Sequence, residues 1–309
     1  MKKNVFFSVI IASLLISING CKKKPSDPAE IKETAVAGST TILVDETIFP
    51  LVEDLAILFE NEYKRAKVHL VSKPENEIIQ MIQQDKARIA ILAKDLDSTE
   101  INYYNNTKKV YPRVTEFAKD AVAFIGSTNR TDSTLVLNDV LLALKGTPNG
   151  KIKTLVFDNP NSSTLRELKK LAGIKELPKQ NVFSAHSNKE VVQYVTENEG
   201  AVGIIGINWL LQPTDDLLPY TSKIQVLAVE NVKINAKNKF IKPNQTNIAD
   251  GSYPVTRKLY LLNFQGATGL GMGFASYIAG QQGQRIVLKS GLIPTHFPTR
   301  QISVRDEVE

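Results

Sequence analysis

Short apolar runs alternate with amphipathic helical patterns along most of this chain, and that alternation constrains its fold more than any other feature. Thr41–Val44 reads as a strand, Asp45-Glu46-Thr47 breaks it, and Phe49, Val52, Leu55 and Phe59 then recur on one helical face, with Pro50 tolerable in the first turn. Lys67–Val71 predicts the next strand. Asn76–Asp85 predicts a helix with Ile78, Ile79 and Ile82 inward, and Arg88–Leu92 a third strand ending in Ala93-Lys94-Asp95. The pattern continues with a buried strand at Lys119–Ile125, a helix at Leu137–Leu144 closed by Lys145-Gly146, and a strand at Lys153–Phe157. A helix at Lys189–Thr196 and strands at Glu199–Ile207 and Ile224–Val229 come next. Phe274–Ile278 and Ile286–Leu288 mark a late helical region that Gly291-Leu292-Ile293-Pro294 stops. Strands alternating with helices imply an α/β fold with a mainly parallel sheet. In such sheets ligands sit beyond the carboxyl ends of the strands.

The stretch Asp158–Leu171 carries the clearest chemistry. Three consecutive hydroxyls, Ser162, Ser163 and Thr164, lie between the Lys153–Phe157 strand and a helical pattern that places Leu165, Leu168 and Leu171 on one face. Thr164 with Glu167 three residues on reads as a capping box, which sets the helix start at Thr164. The first amides of a helix lack intrahelical acceptors and lie at the positive end of its dipole, so with hydroxyl donors added such a loop holds a small oxyanion. The same residues are also what a plain helix cap requires.

At 309 residues the chain exceeds the usual single-domain size, which favours two lobes. Positive charge is spread along the chain with acids beside it, and no basic stripe is interleaved with aromatics, so nucleic-acid binding is not supported. Enzymatic signals are lacking too. His69, His186 and His296 have no metal-ligand spacing, and no Gly-x-Ser-x-Gly elbow occurs, so neither metal nor cofactor is implied. Glycine weakens a strand unless something approaches the backbone closely, as in Glu199–Ile207. Tight helix–sheet packing is the other explanation there. Trp209, just beyond, either lines a ligand site or packs between lobes.

Lys2 and Lys3 precede an apolar run, Val5–Ile18, of signal-peptide length and too short for a good membrane span. Ile18-Asn19-Gly20-Cys21 follows, with a small residue before the chain's single cysteine, and resembles a bacterial lipoprotein box. That resemblance implies cleavage after residue 20, lipid on the Cys21 thiol, and a place in the cell envelope. No cysteine then remains for a disulfide. Loss of Lys2 and Lys3 leaves 36 basic and 32 acidic residues, a charge of +4. Residues 21–35 read as a tether rich in Lys, Pro, Ser and Glu.

Several stretches, taken in order, resemble the periplasmic phosphate-binding protein family of ABC importers. Gly38-Ser39-Thr40-Thr41 leading to Phe49-Pro50-Leu51 is similar to its first strand–loop–helix. Asp120–Gly126 followed by Leu137–Gly146 is similar to its crossover strand and next helix, and Glu199–Ile207 to its glycine-rich strand. Gly251–Arg257 resembles its Tyr-Pro signature, and Gly283–Pro294 its tail. The likeness covers about residues 36–295. It implies a type II periplasmic binding protein fold: two α/β lobes joined by two crossovers, lobe one from residues 36–120 and 251–309, lobe two from residues 121–250. Such a shell closes on its solute like a hinge.

The family's first anion loop corresponds to Asp45-Glu46-Thr47-Ile48, where Thr47 donates and Ile48 follows. Its second contact, a Ser-Arg pair, corresponds to Ala93-Lys94, which keeps a charge without the bidentate fork. In the third loop Asp158 stands where an arginine is usual, and Ser162-Ser163-Thr164 replaces the hydroxyl triplet. Arg166, Arg130 and Arg257 are the arginines that could compensate, and each reads by default as a surface charge. The resemblance implies a lipid-anchored protein that captures phosphate or a similar small oxyanion, without catalysis, for an ABC importer permease. The alternative keeps the fold but takes a non-phosphate solute or a protein partner, because Asp158 stands in place of the expected arginine and Asp45 and Glu46 make the first loop acidic as well.

Overall fold

A computed structural model describes residues 33–147, 152–231 and 240–299. The leader, Cys21 and most of the tether lie outside the described residues. Glu33, at the tether's end, already belongs to the fold, because its carboxylate accepts the backbone N–H of Leu270 at 2.9 Å.

The first strand, β1 (Ala37–Asp45), is longer than its apolar run. A single 3₁₀ turn, Glu46–Ile48, leads directly into helix α1 (Phe49–Glu62), with Pro50 in its first turn as expected. Then come β2 (Arg65–Lys73), α2 (Glu75–Gln83) and β3 (Ile89–Leu92). Strand β1 pairs in parallel with both β2 and β3. Its side chains alternate between two cores: Ile42 and Val44 enter the larger one, while Leu43 joins a smaller one with Ile78 and Ile82 of α2. Burial on both faces is why these strands read as continuous apolar runs.

Strand β4 (Arg113–Ser127) runs through the middle of the molecule. Beyond it lie β5 (Thr134–Leu135), α3 (Leu137–Leu144), β6 (Thr154–Phe157), α4 (Ser163–Ala172), β7 (Val182–Ser184), α5 (Asn188–Glu197) and β8 (Ala201–Gly206). Gly146 closes α3 at φ +80°, a left-handed conformation that favours glycine. Strand β6 pairs in parallel with β7 and β8. The expected strand at Ile224–Val229 divides at Leu227. Its first part, β9 (Ile224–Val226), pairs with β4, while β10 (Ala228–Glu230) joins β5 and β11 (Phe240–Ile241) in a separate small sheet. The chain returns through β12 (Thr256–Asn263), helices α6 (Leu270–Ala279) and α7 (Gln281–Lys289), and β13 (Ile293–Pro294).

The main sheet runs β2-β1-β3-β12-β4-β8-β6-β7, with β9 and β13 also on β4. It is parallel within each half and antiparallel around β12 and β4, so the fold is mixed α/β. Strand β4 changes partner partway along: Ala121 is the last residue opposite β12, and Val122 the first opposite β8. Tyr253 is buried and donates its hydroxyl to the Val122 carbonyl at 2.7 Å, which fixes the Tyr-Pro stretch to that switch point. Among the described residues no helix is long and apolar enough to cross a membrane.

Candidate functional site

The first turn after β1 and the start of α4 come from opposite halves of the main sheet and meet beyond the β4 switch point. Asp45 accepts the Thr47 backbone N–H at 3.0 Å and so caps the 3₁₀ turn. This directs the Thr47 hydroxyl outward from the turn, where it bonds the Ser163 hydroxyl at 2.8 Å. All three side chains are buried. The α4 cap differs from expectation: Ser162, not Thr164, accepts the Leu165 amide at 3.4 Å, and the helix begins at Ser163. Ser162 is the residue with extended backbone, so its hydroxyl is the one positioned over the first turn. Thr164 instead bonds Ser162 at 3.0 Å and approaches Asp158 at 3.5 Å. The inward face runs through Leu165, Leu168 and Ala172, and Leu171 is 47% exposed.

Arg257 completes the constellation. From Val255, just before β12, the alternation Val255, Arg257, Leu259 and Leu261 turns toward the interior, so the guanidinium is buried. Register places it opposite Asp120 of β4, and the two form a bidentate pair, with Nε donating to Oδ1 at 3.0 Å and Nη2 to Oδ2. Its remaining fork arm, Nη1, donates to Thr47 Oγ1 at 3.1 Å and to Ser163 Oγ at 2.7 Å. Burial opposes the charge, but Asp120, with Asp45 and Glu75 beyond it, holds the guanidinium above its ordinary pKa, so it stays charged. Sequence reading left Arg257 as a surface charge. The detectable signal was its place in the period-2 alternation.

Carboxylates crowd the same region. Glu46 and Asp158 hydrogen-bond across the junction. Burial, with the neighbouring Asp158 charge, pushes Glu46 up to about 8. Burial likewise raises Asp158 to about 6. Near neutrality the proton therefore sits on Glu46, and Asp158 accepts. Asp45 Oδ2 and both amide atoms of Asn208 are buried with no hydrogen-bond partner, and Glu46 Oε1 and Asp158 Oδ2 are buried with none beyond the bond this pair makes. Asn208 belongs here by geometry: a Cβ placed on Gly206 would lie 2.8 Å from Asn208 Oδ1, 2.4 Å from the Thr47 carbonyl and 3.4 Å from Arg257 Nη2. Close approach of backbone to backbone thus accounts for this glycine of the β8 strand.

Other expected residues lie at the margins. Ile48 is buried in the larger core, so its side chain packs rather than faces the junction. Arg166 spans the two halves, pairing with buried Glu75 of α2 and donating to the Ala93 carbonyl at 2.8 Å. Lys94 is placed elsewhere. It pairs with Glu100 and lines a cavity of about 360 Å³ walled by Ile79, Leu96, Tyr103 and Phe264, because the chain after β3 turns toward that side. Arg130 is bonded to the Asp132 carbonyl at 2.9 Å on the surface. Trp209 packs between the halves, its indole N–H donating to the Glu46 carbonyl at 3.1 Å. Among the described residues no cluster of His, Cys, Asp and Glu suits a metal ion.

Comparison with known proteins places this geometry in a family. The model of a PBP superfamily domain matches residues 30–282. The phosphate-binding protein PstS of Bacillus subtilis (strain 168) is 24% identical over 318 residues, covering 95% of each chain. The crystal structure of a phosphate ABC transporter substrate-binding protein from Clostridium perfringens, described as putative and with bound phosphate, superposes with a TM-score of 0.66 at 19% identity, over 84% of this chain and 100% of its own. An ABC-type phosphate transport receptor from Vibrio cholerae gives a TM-score of 0.59 at 19% identity, over 82% and 98%. The family model spans most of the chain and the architecture is that of type II periplasmic binding proteins, so this protein belongs to the PBP superfamily.

Proposed function

We propose that this chain is a solute-binding protein that captures phosphate or a similar small oxyanion between two lobes, residues 36–120 with 251–309 and residues 121–250, and delivers it to an ABC importer permease. The carrying observation is the buried Arg257 fork, whose Nη1 is shared by Thr47 and Ser163 from opposite halves of the sheet. An oxyanion entering between the halves would accept from that nitrogen and from both hydroxyls in place of their mutual bonds. Asp120 keeps the planar fork aimed, and no step requires covalent chemistry. The named relatives, a phosphate-binding protein among them, support the same ligand. The leader and Cys21 support a lipid anchor in the cell envelope. Calorimetric titration with phosphate tests the ligand: saturable heat is expected, and no heat at millimolar phosphate would rule out phosphate. Incorporation of radiolabelled palmitate into the chain, lost in Cys21→Ser, tests the anchor.

A second reading has its own observation. Asp158 stands where a ligand arginine was expected and is bonded to Glu46, and Asp45 Oδ2 beside them has no partner. That acidity favours a solute other than a bare phosphate dianion, or a protein partner. Mass spectrometry of ligand released from native protein separates the two.

A further inference from the structure

We propose that the site takes a zwitterion, an aminoalkyl phosphonate or aminoalkyl phosphate ester, with its phosphorus oxyanion on Arg257, Thr47, Ser163 and Asn208 and its ammonium on Asp45, Glu46 and Asp158. The inference rests on the oxyanion reading above and narrows it to a chemical class.

Two sets of groups meet at the junction. Arg257 Nη1 and the Thr47 and Ser163 hydroxyls form one donor set; the buried Asn208 amide, with no partner on either atom, has its Oδ1 near Gly206 on the Arg257 side and leaves Nδ2 as a further unpaired donor. The other set is carboxyl: Asp45 Oδ2 is buried and unpartnered, and beside it Glu46 and Asp158 share one proton and have no other partner for Glu46 Oε1 and Asp158 Oδ2. Buried acceptors without donors are costly, and groups left so in a folded protein point to something that supplies the hydrogens.

Charge decides what that something is. The facing groups are the carboxyls of Asp45, Glu46, Glu75, Asp120 and Asp158 against the guanidiniums of Arg166 and Arg257. Arg257 is already neutralised by Asp120, and Arg166 by Glu75. The remaining field is negative, so a simple oxyanion dianion is repelled from the acidic side. An ammonium three bonds or so from the phosphorus places its N–H donors against Asp45 Oδ2 and the Glu46–Asp158 pair and offsets part of that field.

The experiment is calorimetry on the full chain in mild detergent with inorganic phosphate, ethylphosphonate and 2-aminoethylphosphonate. A charge-assisted contact set predicts that the amine raises affinity over ethylphosphonate by about ten- to a hundredfold, and over inorganic phosphate as well. In Glu46→Gln/Asp158→Asn the ratio of 2-aminoethylphosphonate to ethylphosphonate affinity is expected to fall toward one. If that variant does not fold, the wild-type ratio alone decides. Equal affinity for the two phosphonates, tighter binding of inorganic phosphate, or an unchanged ratio in the double variant would overturn the zwitterion and leave the oxyanion reading standing. Binding of none of the three would overturn the oxyanion reading itself.

Discussion

Arg257 and Asp120 face each other in the register of β12 and β4, and their bidentate pair is wholly enclosed. Removing one partner leaves the other as an uncompensated buried charge, a loss of about 3–5 kcal/mol. Arg257→Met is therefore expected to lower the urea midpoint strongly. Asp120→Leu/Arg257→Met is expected to recover much of that loss, because two apolar side chains leave no stranded charge. Equilibrium denaturation of both variants checks this.

Acidity should stabilise the fold. A carboxyl held above its ordinary pKa binds its proton more tightly folded than unfolded, so stability falls as pH rises across the gap between the two values. For Glu46 the gap ends at about 8, and for Asp158 at about 6. Burial raises Glu75 and Asp120 in the same sense. The expected melting temperature is higher at pH 6 than at pH 8.5, and Glu46→Gln should flatten the upper part of that slope. Differential scanning calorimetry across the range is the measurement.

Trp209 is the chain's single tryptophan and donates to the carbonyl of Glu46. Its emission is expected to titrate with a midpoint near the Glu46 value of about 8, and the transition should vanish in Glu46→Gln. Trp209→Phe forfeits one hydrogen bond, roughly 0.5–1.5 kcal/mol. Fluorescence against pH and a denaturation curve read the two effects.

Gly206→Ala inserts a methyl 2.4 Å from the Thr47 carbonyl, a backbone atom with little freedom to retreat. The clash is expected to cost about 1–3 kcal/mol. It should also weaken phosphate binding, because it pushes the Thr47 turn away from Arg257. Calorimetry on a variant shown to be folded measures the second effect.

The elements were readable because their signals are local. The four inward residues of α1 and the apolar run of β3 announce themselves by spacing, and Leu137–Leu144 matched its helix end to end. What failed depended on backbone conformation and on partners that no local spacing rule names. Ser162 rather than Thr164 caps α4, because backbone conformation, not the order of hydroxyls, selects the cap. Lys94 follows β3 as expected but turns toward Glu100, and no spacing rule forecasts that. Arg257 is the instructive miss. Its burial was written in the alternation Val255, Arg257, Leu259, Leu261, yet its role needed Asp120, which lies 137 residues away. The acids of the first turn were correctly located in the chain, but their meeting with Asp158 emerged only once both halves of the sheet were assembled.

The long strand β4 hands over from one partner to the other between Ala121 and Val122, immediately beside the carboxylate that grips Arg257. A hinge of the proposed kind would have its fulcrum there, and a fulcrum does not travel. Thr47 and Ser163, mounted on the moving arms, would part by ångströms, while the guanidinium would keep its place and heading throughout. An incoming anion would thus meet a stationary post first and two converging fingers afterwards.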